Sequence, residues 1–281
     1  MIRRQAGDDF LLITQNDHAL LAQQLGSHFG NSKFARPLPP PAQSPVLSAI
    51  GLHDAGWPLH DDQPTLNHRQ LPLDVFEVPR SIALMVWAAS ADRAEAVDPY
   101  AGLLVSLHSL SLSIHATAPV QGKGDTFDVQ KMHDQFAVNK FQHREVERQE
   151  QLRQRLGFRT NVPLKHGLAE ARVTPEDDQL RFDFRLLQAM DLISLCVCCT
   201  NLPQGETNDV LRSPTHKEIK LRLTKNSAGV VRVNPWPFDI NQIEMQVPCR
   251  RVPGRRFESV EEFRKCYAEA VNESITVRLE K

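Results

Sequence analysis

Residues 174–198 read TPEDDQLRFDFRLLQAMDLISLCVC, and one residue in them governs the reading of the rest of the chain. Thr174 followed by Pro175 is a helix start: a capping hydroxyl, then a proline whose missing N–H costs nothing at the first helical position. From there Leu180, Phe184, Leu187, Leu195 and Cys198 recur at helical spacing and mark one apolar face. Asp191 stands in that stripe, between Met190 and Leu192. A carboxylate on an apolar helix face is costly unless it is paired or bound to a cation. Arg172 and Arg185 are nearby candidates for a pairing; a metal ion is the other answer.

Working outward, other helices also carry ionisable groups on apolar faces. A helix is predicted over about 17–25, capped by Thr14 or Asn16 and stopped by Gly26. His18 shares its stripe with Leu21, Ala22 and Leu25. After the proline-rich FARPLPPPAQSP (34–45), read as extended, Ser44-Pro45 opens a second helix. Its apolar side is Val46, Leu47, Ala49, Ile50 and His53, and it ends in HDAGW (53–57) with Gly56 as the stop. Prolines 58, 64, 72 and 79 forbid a long regular element over 57–79. A third helix starts near Arg80 and a fourth at Asp98-Pro99. The stripe of the fourth includes Leu104, Leu107, His108 and His115. A charged segment, 129–156, reads as a long exposed helix because its charges alternate in sign.

Beyond residue 215 the period changes. KEIKLRL (217–223), GVVRVNP (229–235) and IEMQVPCR (243–250) alternate apolar and polar residues as half-buried strands do. SVEEFRKCYAEAVNESI (259–275) reads as a final amphipathic helix. The expected organisation is a helical metal-binding domain over 1–205 with a small α+β region, 206–281, packed on it.

Composition narrows the class. The 281 residues carry a net charge of −1, with 41% hydrophobic and 24% charged side chains. That is ordinary for a globular protein and gives no basic excess of the kind that nucleic acid or an anionic membrane calls for. The apolar patch Phe10–Ile13 is too short for a signal peptide, and no run approaches a membrane span. The five cysteines, three of them crowded at 196, 198 and 199, suggest reduced thiols buried as small apolar groups, and a cytoplasmic protein. The Cys196/Cys199 spacing lacks the second pair that a zinc ribbon needs.

Imidazole and carboxylate together suit zinc, iron, manganese, nickel or cobalt. His18, then adjacent His53-Asp54, then Asp191, each on its own helix, form such a set. Read alone, His53-Asp54 could be a capping pair and His18 a satisfied core histidine. The order H…HD…D resembles the HD-domain metal-dependent phosphohydrolase superfamily. HDAGW is similar to that family's HD turn, and LLQAMDLISL (186–195) to its last-Asp helix. NDHALLAQQLG (16–26), HDAGWPLHDDQP (53–64), DPYAGLLVSLHSL (98–110) and VNPWPFD (233–239) are similar to a bacterial family of uncharacterised HD-like proteins.

The resemblance implies a mainly α fold, an HD-like bundle with a small C-terminal antiparallel sheet plus helix. It implies one or two divalent metal ions on His18, His53, Asp54 and Asp191, with His108 as a further ligand and His115 a weaker candidate. In it, Asp54 and His108 take the catalytic roles on a small molecule, a phosphomonoester or phosphodiester such as a nucleotide. No nucleic acid or membrane partner is expected; a homodimer is open. Many hydrolytic members have lysine after the glycine of the HD turn, where this chain has Trp57. Lys33, Arg36, Arg80 and Lys140 are phosphate contacts by charge alone. Two other activities stay open: a di-iron oxygenase, and a non-catalytic metal or ligand site.

Overall fold

The computed structural model describes residues 1–37, 44–116, 129–159, 164–169, 174–199, 205–207, 209–226 and 229–281; for 115–116 and 129–133 it describes the backbone alone. The proline-rich stretch read as extended falls largely on 38–43, and Arg172 on 170–173, both outside the described residues.

The helices begin where their caps predict. The chain enters through two strands, β1 (Ile2–Ala6) and β2 (Asp9–Ile13), and then α1 (Gln15–Ser27). Of the two caps the sequence offered, Thr14 is used: its Oγ1 accepts from the Asp17 N–H at 3.0 Å. Helix α2 (Pro45–Leu52) is capped by Ser44, and a one-turn α3 (Pro58–Asp61) follows the HDAGW turn. Helices α4 (Arg80–Val97), α5 (Pro99–Ala116) and α6 (Val129–Arg155) come next. Two short strands, β3 (Leu164–Lys165) and β4 (Leu168–Ala169), precede α7 (Pro175–Cys198), which is capped by Thr174 as expected. Helix α6 is less exposed than its alternating charge suggested. Val138 and Phe141 pack on Leu84, and Glu145 and Gln149 are buried as well.

The C-terminal elements are β5 (Gly205–Glu206), β6 (Val210–Leu211), β7 (Glu218–Ile219), β8 (Arg222–Lys225), β9 (Val231–Asn234), β10 (Gln242–Pro253), α8 (Val260–Glu269) and β11 (Asn272–Glu280). The helix expected over 259–275 stops at Glu269. Ser274 and Ile275 lie in β11, paired along the length of β10.

The mainly α expectation is overturned. The chain is half helix, yet 22% of it is strand, and the fold is mixed α/β. Among the described residues the main sheet has seven strands in the order β1-β2-β10-β11-β9-β8-β5. Its β11–β9 pairing is parallel, so the sheet is mixed and not simply antiparallel. The N-terminal hairpin belongs to it, because β2 pairs with the end of β10, with Leu12 opposite Arg250.

The physical reason the hairpin escaped the sequence reading is burial on both faces. Leu11 and Ile13 face the helices and share their core. Phe10 and Leu12 face the other way, against Phe257 and Phe263 of the α8 region. Such a strand reads as a plain apolar run, without alternation. Helices and sheet share one core: Leu21, Leu25, Ile50, Leu104, Leu187 and Met190 are clustered with Leu223, Val233, Val247 and Leu279.

One glycine sets how closely the helices approach. Gly56 packs on α4 so tightly that a Cβ there would lie 1.9 Å from the Val86 carbonyl oxygen and 2.7 Å from the Ser90 nitrogen. Its own N–H donates to Ser90 Oγ at 2.8 Å. Gly56→Ala is therefore expected to destabilise the fold by about 1–3 kcal/mol, the cost of overpacking. A urea melt of the two proteins side by side checks it; equal midpoints would refute the close approach.

Candidate metal centre

Four helical segments bring the ionisable groups together. α1 carries His18, the turn after α2 carries His53 and Asp54, α5 carries His108, and α7 carries Asp191. The Nε2 of His18 lies 3.0 Å from Asp191 Oδ1, and the Nε2 of His53 lies 3.4 Å from the same oxygen. His108 Nε2 is 3.4 Å from Asp191 Oδ2. Asp54 Oδ2 is 3.5 Å from His53 Nε2 and 3.9 Å from His18 Nε2. Thus all five residues singled out from the sequence meet around one carboxylate. The donor atoms of His18, His53 and Asp191 all lie within 4.8 Å of one another, a spacing that one metal ion can span. The side chain of His115 lies outside the described residues. Arg185 does not pair with Asp191; its guanidinium bonds Glu218 and Gln188.

Hydrogen bonds occupy Nδ1 of two of the rings. Ser194 Oγ donates its one proton to the Asp191 carbonyl at 2.8 Å. It can then only accept from His18 Nδ1, 2.9 Å away. His53 Nδ1–H likewise donates to the Ile50 carbonyl at 2.6 Å. With Nδ1 carrying a proton in both rings, Nε2 is the nitrogen turned toward the carboxylates, the arrangement that orients metal-binding imidazoles. The Nε2 of His53 is buried and makes no hydrogen bond. At 3.0 Å the His18 Nε2 and Asp191 Oδ1 share a proton in the metal-free protein, and the same two atoms are the ones a metal ion would take.

The electrostatics point the same way. Burial alone would lower the pKa of His53, but the charge of Asp54, followed by its interactions with Asp191, overrides this and raises it to about 9. Burial is also the largest influence on Asp191, pushing it up, yet the imidazoles of His18, His53 and His108 hold it well below the usual carboxylate range. Asp54 is raised, chiefly by burial. His108 is driven down to about 4 by burial, so it is a neutral ring. Two carboxylates in one buried cluster call for positive charge. In the metal-free protein a proton on His53 supplies part of that charge, and a divalent ion would supply it in full.

Sequence reading missed the outer partners. Trp57, which stands where many hydrolytic HD proteins have lysine, donates its indole N–H to Asp54 Oδ1 at 2.9 Å and turns Oδ2 toward the histidines. Ser194 and the Ile50 carbonyl do the same for His18 and His53. The spacing Asp191–Ser194, one helical turn, was the available signal for the serine. Trp57→Phe keeps the ring and loses the donor; it is expected to weaken metal affinity about 10–100-fold, as outer partners do. Competition against a fluorescent zinc chelator measures this, and an unchanged affinity would deny Asp54 a place in the shell.

A cleft of about 510 Å³ opens onto the centre. His53, Asp54, His108 and Asp191 line its floor, and His18 lies fully buried beneath. Trp57, Trp87, Val75, Phe76, Leu112 and Leu195 form apolar walls. Of the four basic residues considered for a phosphate, Arg80 lines the cleft, with Asp134 also present; Lys33, Arg36 and Lys140 are not among the lining residues. All five cysteines are free thiols. Among the described residues no helix is long and apolar enough to cross a membrane.

No curated protein and no solved structure shows significant similarity to the chain. A family model described as a protein of unknown function, DUF3891, matches residues 1–254, and the chain belongs to that family.

Proposed function

We propose that this protein is a metal-dependent hydrolase of small phosphate esters. The observation that carries the reading is the convergence of the Nε2 atoms of His18, His53 and His108 on Asp191, with Nδ1 of His18 and of His53 held by outer partners, at the floor of a cleft of ligand size. His18, His53 and Asp191 would hold a divalent transition metal such as manganese, iron, zinc, nickel or cobalt, with Asp54 and His108 beside them. Such an ion supplies Lewis-acid activation of water and of a phosphoryl oxygen.

The chain's own residues do the remainder. Trp57 holds one Asp54 oxygen, so the other is free to orient the attacking water and accept its proton. Burial raises Asp54 above an ordinary carboxylate, which makes it a better base. His108 is neutral at physiological pH, which suits a ligand and not a proton donor. The apolar walls exclude bulk water from the reacting group and take up the organic part of the ester.

The test loads the purified protein with each of the five metals and measures release of p-nitrophenol from p-nitrophenyl phosphate and its bis ester. Metal uptake with at least a thousandfold acceleration over the free ion supports the reading. Failure to take up any of the metals ends it. The apolar character of the walls, with Arg80 as the basic residue lining the cleft, favours a di-iron oxygenase as the second reading. Oxygen consumption by the iron-loaded protein without hydrolysis of either ester would select it.

A further inference from the structure

We propose that Gln15 is the substrate-recognition residue of the cleft, reading a carboxamide-like edge on the organic part of the ligand; the inference rests on the hydrolase reading above. Gln15 is the first residue of α1, three positions before His18, so the two side chains lie on one helix face a turn apart. Side chains of a helix lean toward its N-terminus, which carries the amide past the metal centre toward the cleft it lines. The residue is 3% exposed, and its Oε1 is buried with no hydrogen-bond partner.

Nothing in the local fold requires an amide there. Thr14 caps the helix, and the Gln15 backbone N–H is taken by Asp61 Oδ2 at 2.9 Å. That bond to a buried carboxylate also fixes the residue in place. An acceptor left unpaired in a buried position is unfavourable in the empty protein and is satisfied by a ligand donor. A primary amide offers an acceptor and a donor in one plane, so its complement is a planar donor–acceptor edge. Trp87, also lining the cleft and only partly buried, is a surface on which a flat ring can lie. The ligand class is therefore an aromatic or heteroaromatic phosphate whose ring carries a carboxamide or lactam edge.

The experiment compares 4-carbamoylphenyl phosphate with 4-acetylphenyl phosphate, a similar leaving group without the N–H, on the metal-loaded wild type and on Gln15→Met, which is of similar length and unbranched. Wild type is expected to favour the carbamoyl ester at least ~10-fold in kcat/KM, through KM, as sites built to hydrogen-bond a polar group do. In the variant the ratio falls to near one while the bound metal per chain is unchanged, which also reports a folded protein. No preference in wild type, or a preference that survives in Gln15→Met, overturns the assignment. If wild type hydrolyses neither ester with any metal, the hydrolase reading has failed. Calorimetry with benzamide and acetophenone, which lacks the N–H, then judges Gln15 separately. Tighter binding of benzamide, dependent on Gln15, sustains the recognition role, and equal or absent binding of both removes it.

Discussion

Asp191→Ala is expected to leave the purified protein with less than a tenth of the wild-type metal and with no measurable esterase activity. Asp191 is the one residue that touches three of the imidazoles: its Oδ1 faces His18 and His53, its Oδ2 faces His108. Alanine removes a donor of the centre and leaves Asp54 as its remaining carboxylate. In metal-free protein the same change separates a buried ion pair, because His53, raised to about 9, carries a proton at neutral pH that Asp191 helps to balance. Breaking such a pair costs about 3–5 kcal/mol. Two measurements separate the consequences: metal content by plasma mass spectrometry, and urea melts in the presence of chelator. Full metal occupancy in the variant would remove Asp191 from the centre. An unchanged melt in chelator would mean that the pair contributes nothing to the metal-free fold.

The second large effect lies on the same helix, two turns earlier. Asp183 is almost fully buried, accepts from Tyr100 Oη at 2.7 Å and from Gln179 Nε2 at 2.9 Å, and among the described residues has no cation against it. Burial raises its pKa from 3.8 to about 7, against the lowering effect of the two hydrogen bonds. A group whose folded pKa is raised stabilises the fold fully below its unfolded pKa and loses that contribution as pH climbs to the folded value. Here the loss runs from about pH 4 to pH 7, and a shift of this size corresponds to roughly 4 kcal/mol. Asp183→Asn removes the ionisation, keeps an oxygen for Gln179, and lets the tyrosine hydroxyl accept in place of donating. It is expected to be more stable than wild type at pH 8 by up to that amount, and about equal at pH 4. Urea midpoints at the two pH values decide it: a difference that does not change with pH would mean Asp183 does not ionise in this window.

The centre was legible in the sequence because its residues break a pattern. His18, His53, His108 and Asp191 are ionisable side chains on otherwise apolar helix faces, and helical spacing alone tells which face each occupies. The polar contacts that tune them were not, because they involve a backbone carbonyl at Ile50, a hydroxyl at Ser194 and an indole N–H at Trp57, residue types that fit any helix. Gln15 was invisible for the same reason. The sheet was legible at β8, β9 and β10, where one face is wet and the residues alternate. It was lost at β2, where both faces are buried, and at β11, whose ESITVRL continues straight from a helical pattern. The hairpin did have a signal: a two-residue Gly7-Asp8 turn between β1 and β2, with Gly7 at φ +62°.

The pairing of β2 with the end of β10 joins residues 9–12 to residues 250–253. Contacts that span most of a chain raise its contact order, and the loop-closure entropy they cost must be met before they contribute anything. During synthesis, every residue of the metal centre emerges well before the β10 segment that fixes the strand leading into α1. The strand that leads into α1 can therefore take its place in the sheet only after residues 250–253 have been made, whereas α1 itself packs on α2 and α7, which are complete earlier.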